Sequence, residues 1–106
     1  MTQRIPLFLV FLVCVIRCVS AQAETVPVKI NGLVFSPAQA HAKVGDTIEW
    51  VNEDFVAHTA TAQTGEWDVV VAPKKSMSQI LNKPGTIQYY CRFHPTMKGS
   101  VIVVPK

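Results

Sequence analysis

Residues 24–106 predict an all-β sandwich of about seven to eight short strands. Three observations predict it. Apolar residues recur at every second position in short runs, Gly, Pro, Asn and Asp punctuate those runs at turn-sized intervals, and no stretch sustains a helical period. In Thr25–Ile30, Val26, Val28 and Ile30 share one face, and Asn31-Gly32 is a hairpin signal leading into Leu33–Phe35. Ser36-Pro37 ends that run. Ala42–Val44 and Thr47–Val51 flank a Gly45-Asp46 turn, with Ile48, Trp50 and Asn52 on one face. Residues 53–57 read as a loop before Thr59–Ala62. Gly65 turns the chain into Trp67–Val71, Lys74-Lys75 reads as a solvated turn, and Ser76–Leu81 reads as a strand with Met77 inward. Pro84-Gly85 leads into Thr86–Tyr90, and Ser100–Val104 is the last strand. The strands are expected to pair antiparallel. Trp50 and Trp67 belong in the core, while Tyr89 and Tyr90 split between core and surface.

The first 23 residues read differently. Arg4 precedes an apolar run, Leu7–Ile16, and a small polar segment ends in Ala21-Gln22-Ala23. That order marks a cleavable secretory signal peptide, cut after Ala23 or, as a second choice, after Ala21. The run is too short to span a membrane and Arg17 interrupts any extension of it. Residues 1–23 are therefore set apart as signal peptide and 24–106 as the folded, exported domain. Cys14 and Cys18 leave with the signal peptide. Removal of Arg4 and Arg17 leaves eight Lys/Arg against seven Asp/Glu and lowers the net charge from +3 to +1. No strong basic field remains to argue for nucleic acid.

Cys91 is then the lone thiol of an exported domain, with no internal partner for a disulfide. A lone thiol in an oxidising compartment is a liability unless buried or ligated. It stands in Tyr90-Cys91-Arg92-Phe93-His94-Pro95-Thr96-Met97. A thiolate, an imidazole and a thioether at i, i+3 and i+6 suit copper, and a trigonal His₂Cys site with a weak axial Met is an electron-transfer arrangement. His58, at the end of the loop after the Trp50 strand, supplies the second imidazole. The candidate metal ligands are thus His58, Cys91, His94 and Met97, holding one copper ion. Zinc would favour Cys or His in the fourth place. A catalytic thiol with His58 or His94 as base lacks an orienting carboxylate or amide and leaves Met97 unexplained. His41, at a strand entry, reads as a surface residue.

The pattern Trp50-x-Asn52-x-Asp54-x-x-x-His58, followed by Tyr90-Cys91-x-x-His94-Pro95-x-Met97-x-Gly99, resembles type 1 (blue) copper proteins of the cupredoxin family. The short Cys-x-x-His-x-x-Met interval is most similar to the amicyanin branch. The resemblance implies a Greek-key sandwich of eight strands and a periplasmic one-electron carrier rather than an enzyme. It also implies a monomer serving a redox protein donor and acceptor, of the dehydrogenase and c-type cytochrome classes. The Thr59 amide is expected to donate to the Cys91 sulfur, and Pro95 to restrain the loop. Thr59 and Arg92-Phe93 are the points where this chain departs from the branch. His94 is expected to be the electron port, inside a docking rim of Phe55, Phe93 and Pro95 with Val56, Ala57 and Thr96. Glu53, Asp54, Arg92 and Lys98 are expected to add charge to that rim. The competing reading is a copper-binding protein for storage, delivery or resistance. The single Met and the absence of a His- or Met-rich tract favour the carrier.

Overall fold

The computed structural model describes residues 2–4, 6, 10–15 and 22–106. Arg17, Cys18 and part of the Leu7–Ile16 run lie outside the described residues. The described residues contain nine strands and no helix: β1 (Thr25–Asn31), β2 (Val34–Ser36), β3 (Gln39–Lys43), β4 (Thr47–Asn52), β5 (His58–Ala62), β6 (Asp68–Val71), β7 (Ser76–Ile80), β8 (Gly85–Tyr90) and β9 (Lys98–Val104). They form two sheets, ordered β2-β1-β4-β7 and β3-β9-β8-β5-β6. The all-β sandwich is as expected. The count is nine rather than seven to eight because every one of the short runs, down to the three residues of β2, forms a strand of its own.

The pairing is mixed rather than wholly antiparallel. β1 runs parallel to β4, and β3 runs parallel to β9. Parallel partners need a crossover, which residues 32–46 provide by turning back through β2 and passing to the second sheet at β3. Side-chain alternation identifies a strand but carries no information about its partner's direction.

Alternation does place the core. Val28, Ile30, Ile48, Trp50, Tyr89 and Val101 are fully buried, and each such side chain contributes about 1.5–3 kcal/mol of burial. Trp67 packs on Trp50 with ring centroids 5.1 Å apart, and Tyr89 meets Trp50 and Trp67 at 5.6 Å. Burial pushes the Tyr89 hydroxyl up to about 12. Met77 is the exception to its expected place. It stands opposite Trp50 in register, hence on the inner face, but β7 is a sheet edge and leaves it 47% exposed. His41 lies exposed on β3, as expected.

Two glycines sit where a side chain would strain the backbone or its neighbours. The β1–β2 hairpin closes at Asn31↔Val34, so its two-residue loop is Gly32-Leu33, both with φ of 62°. Both positive angles match the twist of a tight hairpin, and glycine takes the first without cost. Leu33 takes the second at about 1 kcal/mol. Gly99 faces Tyr89 directly across β8–β9, and a Cβ there would stand 2.5 Å from the Tyr89 ring. The residue two places after Met97 is thus small because an aromatic ring lies against its backbone. Gly99→Ala is expected to cost roughly 1–3 kcal/mol through overpacking, read as a lower urea midpoint of the metal-free domain at unchanged slope.

Candidate metal centre

Three connections meet at one end of the sandwich: residues 53–57 between β4 and β5, residues 72–75 between β6 and β7, and residues 91–97 between β8 and β9. Asn52 joins the first two. It is buried, and its side-chain amide donates to the carbonyls of Val56, Val71 and Ala72 at 2.9, 3.1 and 3.2 Å. Its carbonyl oxygen accepts from the Asp54 amide at 3.0 Å. One side chain thereby ties the loop before His58 to the end of β6, and β5 opens on His58 opposite Val71. The third connection is closed by its own backbone. The Cys91 amide donates to the Met97 carbonyl at 3.0 Å, the His94 amide to the Cys91 carbonyl at 3.2 Å, and the Met97 amide to the His94 carbonyl at 2.8 Å.

This brings His58, Cys91 and His94 together, with their donor atoms within 4.8 Å of one another. His58 and Cys91 are fully buried, and His94 is half-buried. Cys91 Sγ lies 3.7 Å from His58 Nδ1 and 3.8 Å from His94 Nδ1. Bonds of about 2.0 Å to nitrogen and about 2.3 Å to sulfur, opened to roughly 120°, set N and S roughly 3.7 Å apart. The spacing therefore suits one first-row metal ion seated between the three donors. Met97 is buried at the loop's end, beside them in chain order.

The surroundings suit a thiolate and neutral imidazoles. The Thr59 amide donates to Cys91 Sγ at 3.3 Å, the bond expected from the sequence. His58 Nε2 lies 2.8 Å from Asp54 Oδ2, so its proton sits on Nε2 and the Nδ1 lone pair faces the sulfur. Asp54 also accepts from the Gly32 and Leu33 amides at 2.7 and 3.1 Å. Those two amides, then His58, hold its carboxyl below the usual range. Asp54 is therefore not a free charge on the rim, as the sequence suggested, but a brace under His58. The sequence offered a signal, a carboxylate four residues before the histidine, which reads equally well as a solvated loop.

The rim residues are on the surface. Phe55 is 86% exposed, Val56, Phe93, Pro95 and Thr96 are also exposed, and Ala57 is half-buried. Lys74 is less free than a solvated turn implies. Its ammonium lies 4.0 Å over the Phe55 ring and donates to the Glu53 carbonyl. Arg92 turns to Asp68, with Nε 3.1 Å from Oδ1. Glu53 accepts from the Asn31 side-chain amide at 3.0 Å and lies 3.8 Å from Lys29.

The Cupredoxin-like domain family matches residues 4–103, and the chain belongs to that family. A cupredoxin with this donor set holds one copper ion. Amicyanin-alpha of Methylorubrum extorquens is 33% identical over 89 residues, covering 78% of this chain and 75% of its own. Amicyanin of Paracoccus denitrificans is 29% identical over 82 residues, covering 72% of this chain and 63% of its own. A solved oxidized methionine-to-leucine mutant of amicyanin superposes with a TM-score of 0.67 at 27% identity, covering 74% of this chain and 80% of that one. These matches agree with the likeness read from the compact Cys91–Met97 interval.

Asp54 yields two expectations. Asp54→Ala is expected to lower copper affinity about 10–100-fold, by freeing the His58 ring, measured by competition with a chelator of known affinity. Its pH effect has a definite sign. A carboxyl depressed on folding contributes stability above its unfolded value near pH 3.9, lost as pH falls through the lower folded value. Metal-free protein is expected to lose stability from about pH 4 downward, and Asp54→Asn to flatten that part of the curve, read by urea unfolding at each pH.

Proposed function

We propose that the chain is a periplasmic one-electron carrier in which His58, Cys91, His94 and Met97 hold a type 1 copper ion. The observation that carries this reading is the asymmetry of the three clustered donors. Cys91 and His58 are sealed in the core, while His94 alone reaches toward the surface among exposed apolar side chains. Bound copper supplies a Cu(I)/Cu(II) couple, and the remaining work belongs to the chain. β4 and β5 fix the ends of the loop before His58, and β8 and β9 fix those of the loop that carries Cys91, His94 and Met97, so the donors need little rearrangement when charge changes. Asp54 keeps His58 in one tautomer and orientation. The Thr59 amide stabilises negative charge on the Cys91 sulfur. Pro95 holds its own φ and stiffens the loop on the outer side of His94. His94 then offers a ring edge to a partner over Phe55, Phe93 and Pro95, an apolar patch small enough for a short-lived encounter.

The reading includes export and maturation. Cleavage after Ala23 is supported by the sandwich's hydrogen bonds that reach Glu24, immediately before β1. The Glu24 amide donates to Asp46 Oδ1 at 2.9 Å, and its carbonyl accepts from Thr47. Cutting there would place a new α-ammonium on a nearly buried carboxylate. No helix among the described residues is long and apolar enough to cross a membrane. The mature domain is read as a monomer that exchanges electrons with a redox protein donor and acceptor, of the dehydrogenase and c-type cytochrome classes. A buried, braced donor set suits a shuttle better than a delivery protein, which must let its ion go. The chain is read as a carrier, not an enzyme.

Copper-loaded residues 24–106 are expected to be intensely blue and to cycle reversibly by voltammetry, and Cys91→Ser to abolish the colour. Colourless, readily exchanged copper would instead favour delivery. Phe93→Ala is expected to slow electron transfer to a physiological partner about tenfold, the size of one modest interface contact, while the absorption band keeps its position. Unchanged stopped-flow rates with both partners would remove Phe93 from the docking surface.

A further inference from the structure

Two of the residues at which this chain departs from the branch, Thr59 and Arg92, are bonded to each other. The Arg92 amide donates to Thr59 Oγ1 at 2.8 Å. Thr59 Oγ1 lies 2.9 Å from Thr61 Oγ1, and Thr61 Oγ1 donates to Asp68 Oδ1 at 2.6 Å. The circuit closes where Arg92 Nε donates to the same Asp68 oxygen at 3.1 Å. Thr59 and Thr61 are two apart on β5 and so share a face, and Asp68 is the register partner of Thr61 on β6.

The directions of these bonds are determined by proton counting. Hydrogen bonds from Thr61 and then Arg92 lower the Asp68 carboxyl below its usual range, so it is an ionised acceptor. The 2.6 Å contact has the length of a hydroxyl bonded to a carboxylate. The Thr61 proton is therefore committed to Asp68. Thr59 must then donate to Thr61, which leaves the Thr59 oxygen with lone pairs only for the Arg92 amide. Each hydroxyl accepts at one side and donates at the other, an arrangement in which successive bonds strengthen one another. Thr59 meanwhile donates its own amide to Cys91 Sγ at 3.3 Å. It grips the cysteine from two sides, by the sulfur and by the peptide that follows it.

We propose that Asp68 is a positioning residue for the Cys91 sulfur, acting through the Thr61 and Thr59 hydroxyls and holding the Arg92 side chain in the same circuit. The proposal rests on Cys91 being a copper ligand. Asp68 touches no metal donor; it sets the orientation of the residue that does. It also keeps the Arg92 guanidinium paired with a carboxylate beside the site instead of leaving an isolated cation there.

The test uses residues 24–106 with Thr61→Val, which keeps the shape and deletes the relay, Thr61→Ser, which restores a hydroxyl, and Asp68→Ala at a half-exposed position. In metal-free protein, Thr61→Val and Asp68→Ala are each expected to speed hydrogen exchange at the Arg92 amide roughly tenfold and to move the Thr59 amide proton resonance. Thr61→Ser is expected to restore both. In copper-loaded protein the same two variants are expected to shift the blue absorption band and the midpoint potential, and Thr61→Ser to reverse the shift. Unchanged Thr59 and Arg92 amides overturn the proposal. So do altered amides with an unmoved band, since the circuit would then be packing alone. If wild-type protein takes no copper, the carrier reading fails, and the metal-free amide measurements still decide whether Asp68 controls the Cys91 surroundings. Should Thr61→Val not fold, Asp68→Ala supplies every readout.

Discussion

The centre depends on the place where two neighbouring strands stop pairing. β5 and β8 form a regular ladder only at Ala62↔Tyr89 and Thr61↔Tyr90. Continued by two residues, that ladder would set Thr59 against Arg92 with Cys91 between them and the last pair. The strands part instead, and the backbone groups left over must find other partners or pay for burial. The Thr59 amide takes a sulfur and the Arg92 amide takes a hydroxyl. A cysteine at this position therefore does two jobs with one atom, accepting an orphaned amide and facing two imidazoles. Adding a residue to β8 would reverse its alternation and turn the sulfur away.

Much of this was legible in the chain, for identifiable reasons. The runs that became β1 and β4 alternate cleanly because one face of each lies on the core. The clustering of Cys91 with His94 could be read directly because one short loop carries both. His58 could be found because it closes the loop that follows the core-like strand of Trp50. The direction of β1 beside β4 was not legible, since a period of two looks the same either way. Nor was the role of Asp54, because its partners Gly32 and Leu33 sit in the β1–β2 hairpin, far back in the chain. The Thr61–Asp68 contact exists only through the β5–β6 register, and no local pattern joins those positions. Met77 was misjudged in degree because a strand's own sequence does not say that it will be an edge.

Polar groups at this end of the molecule are arranged so that few charges stand alone. Asp54, Asp68 and Glu53 each have a partner, and Lys74 and Arg92 each lie near an exposed aromatic ring as well. Such surface pairs add little to stability singly. The four hydrogen bonds of Asn52 tie two of the three connections together with one buried side chain.

The Asp54 carboxylate has a mechanical consequence. One of its oxygens meets both His58, on the second sheet, and the backward-bent hairpin of the first sheet, while the other takes the remaining hairpin amide. The imidazole is thus bolted across the gap between the layers. A slide of one layer over the other would pull on that ring through the carboxylate. In a copper-loaded chain the colour would act as a strain gauge built into the sandwich, reporting displacements of the two layers too small to alter its backbone signal.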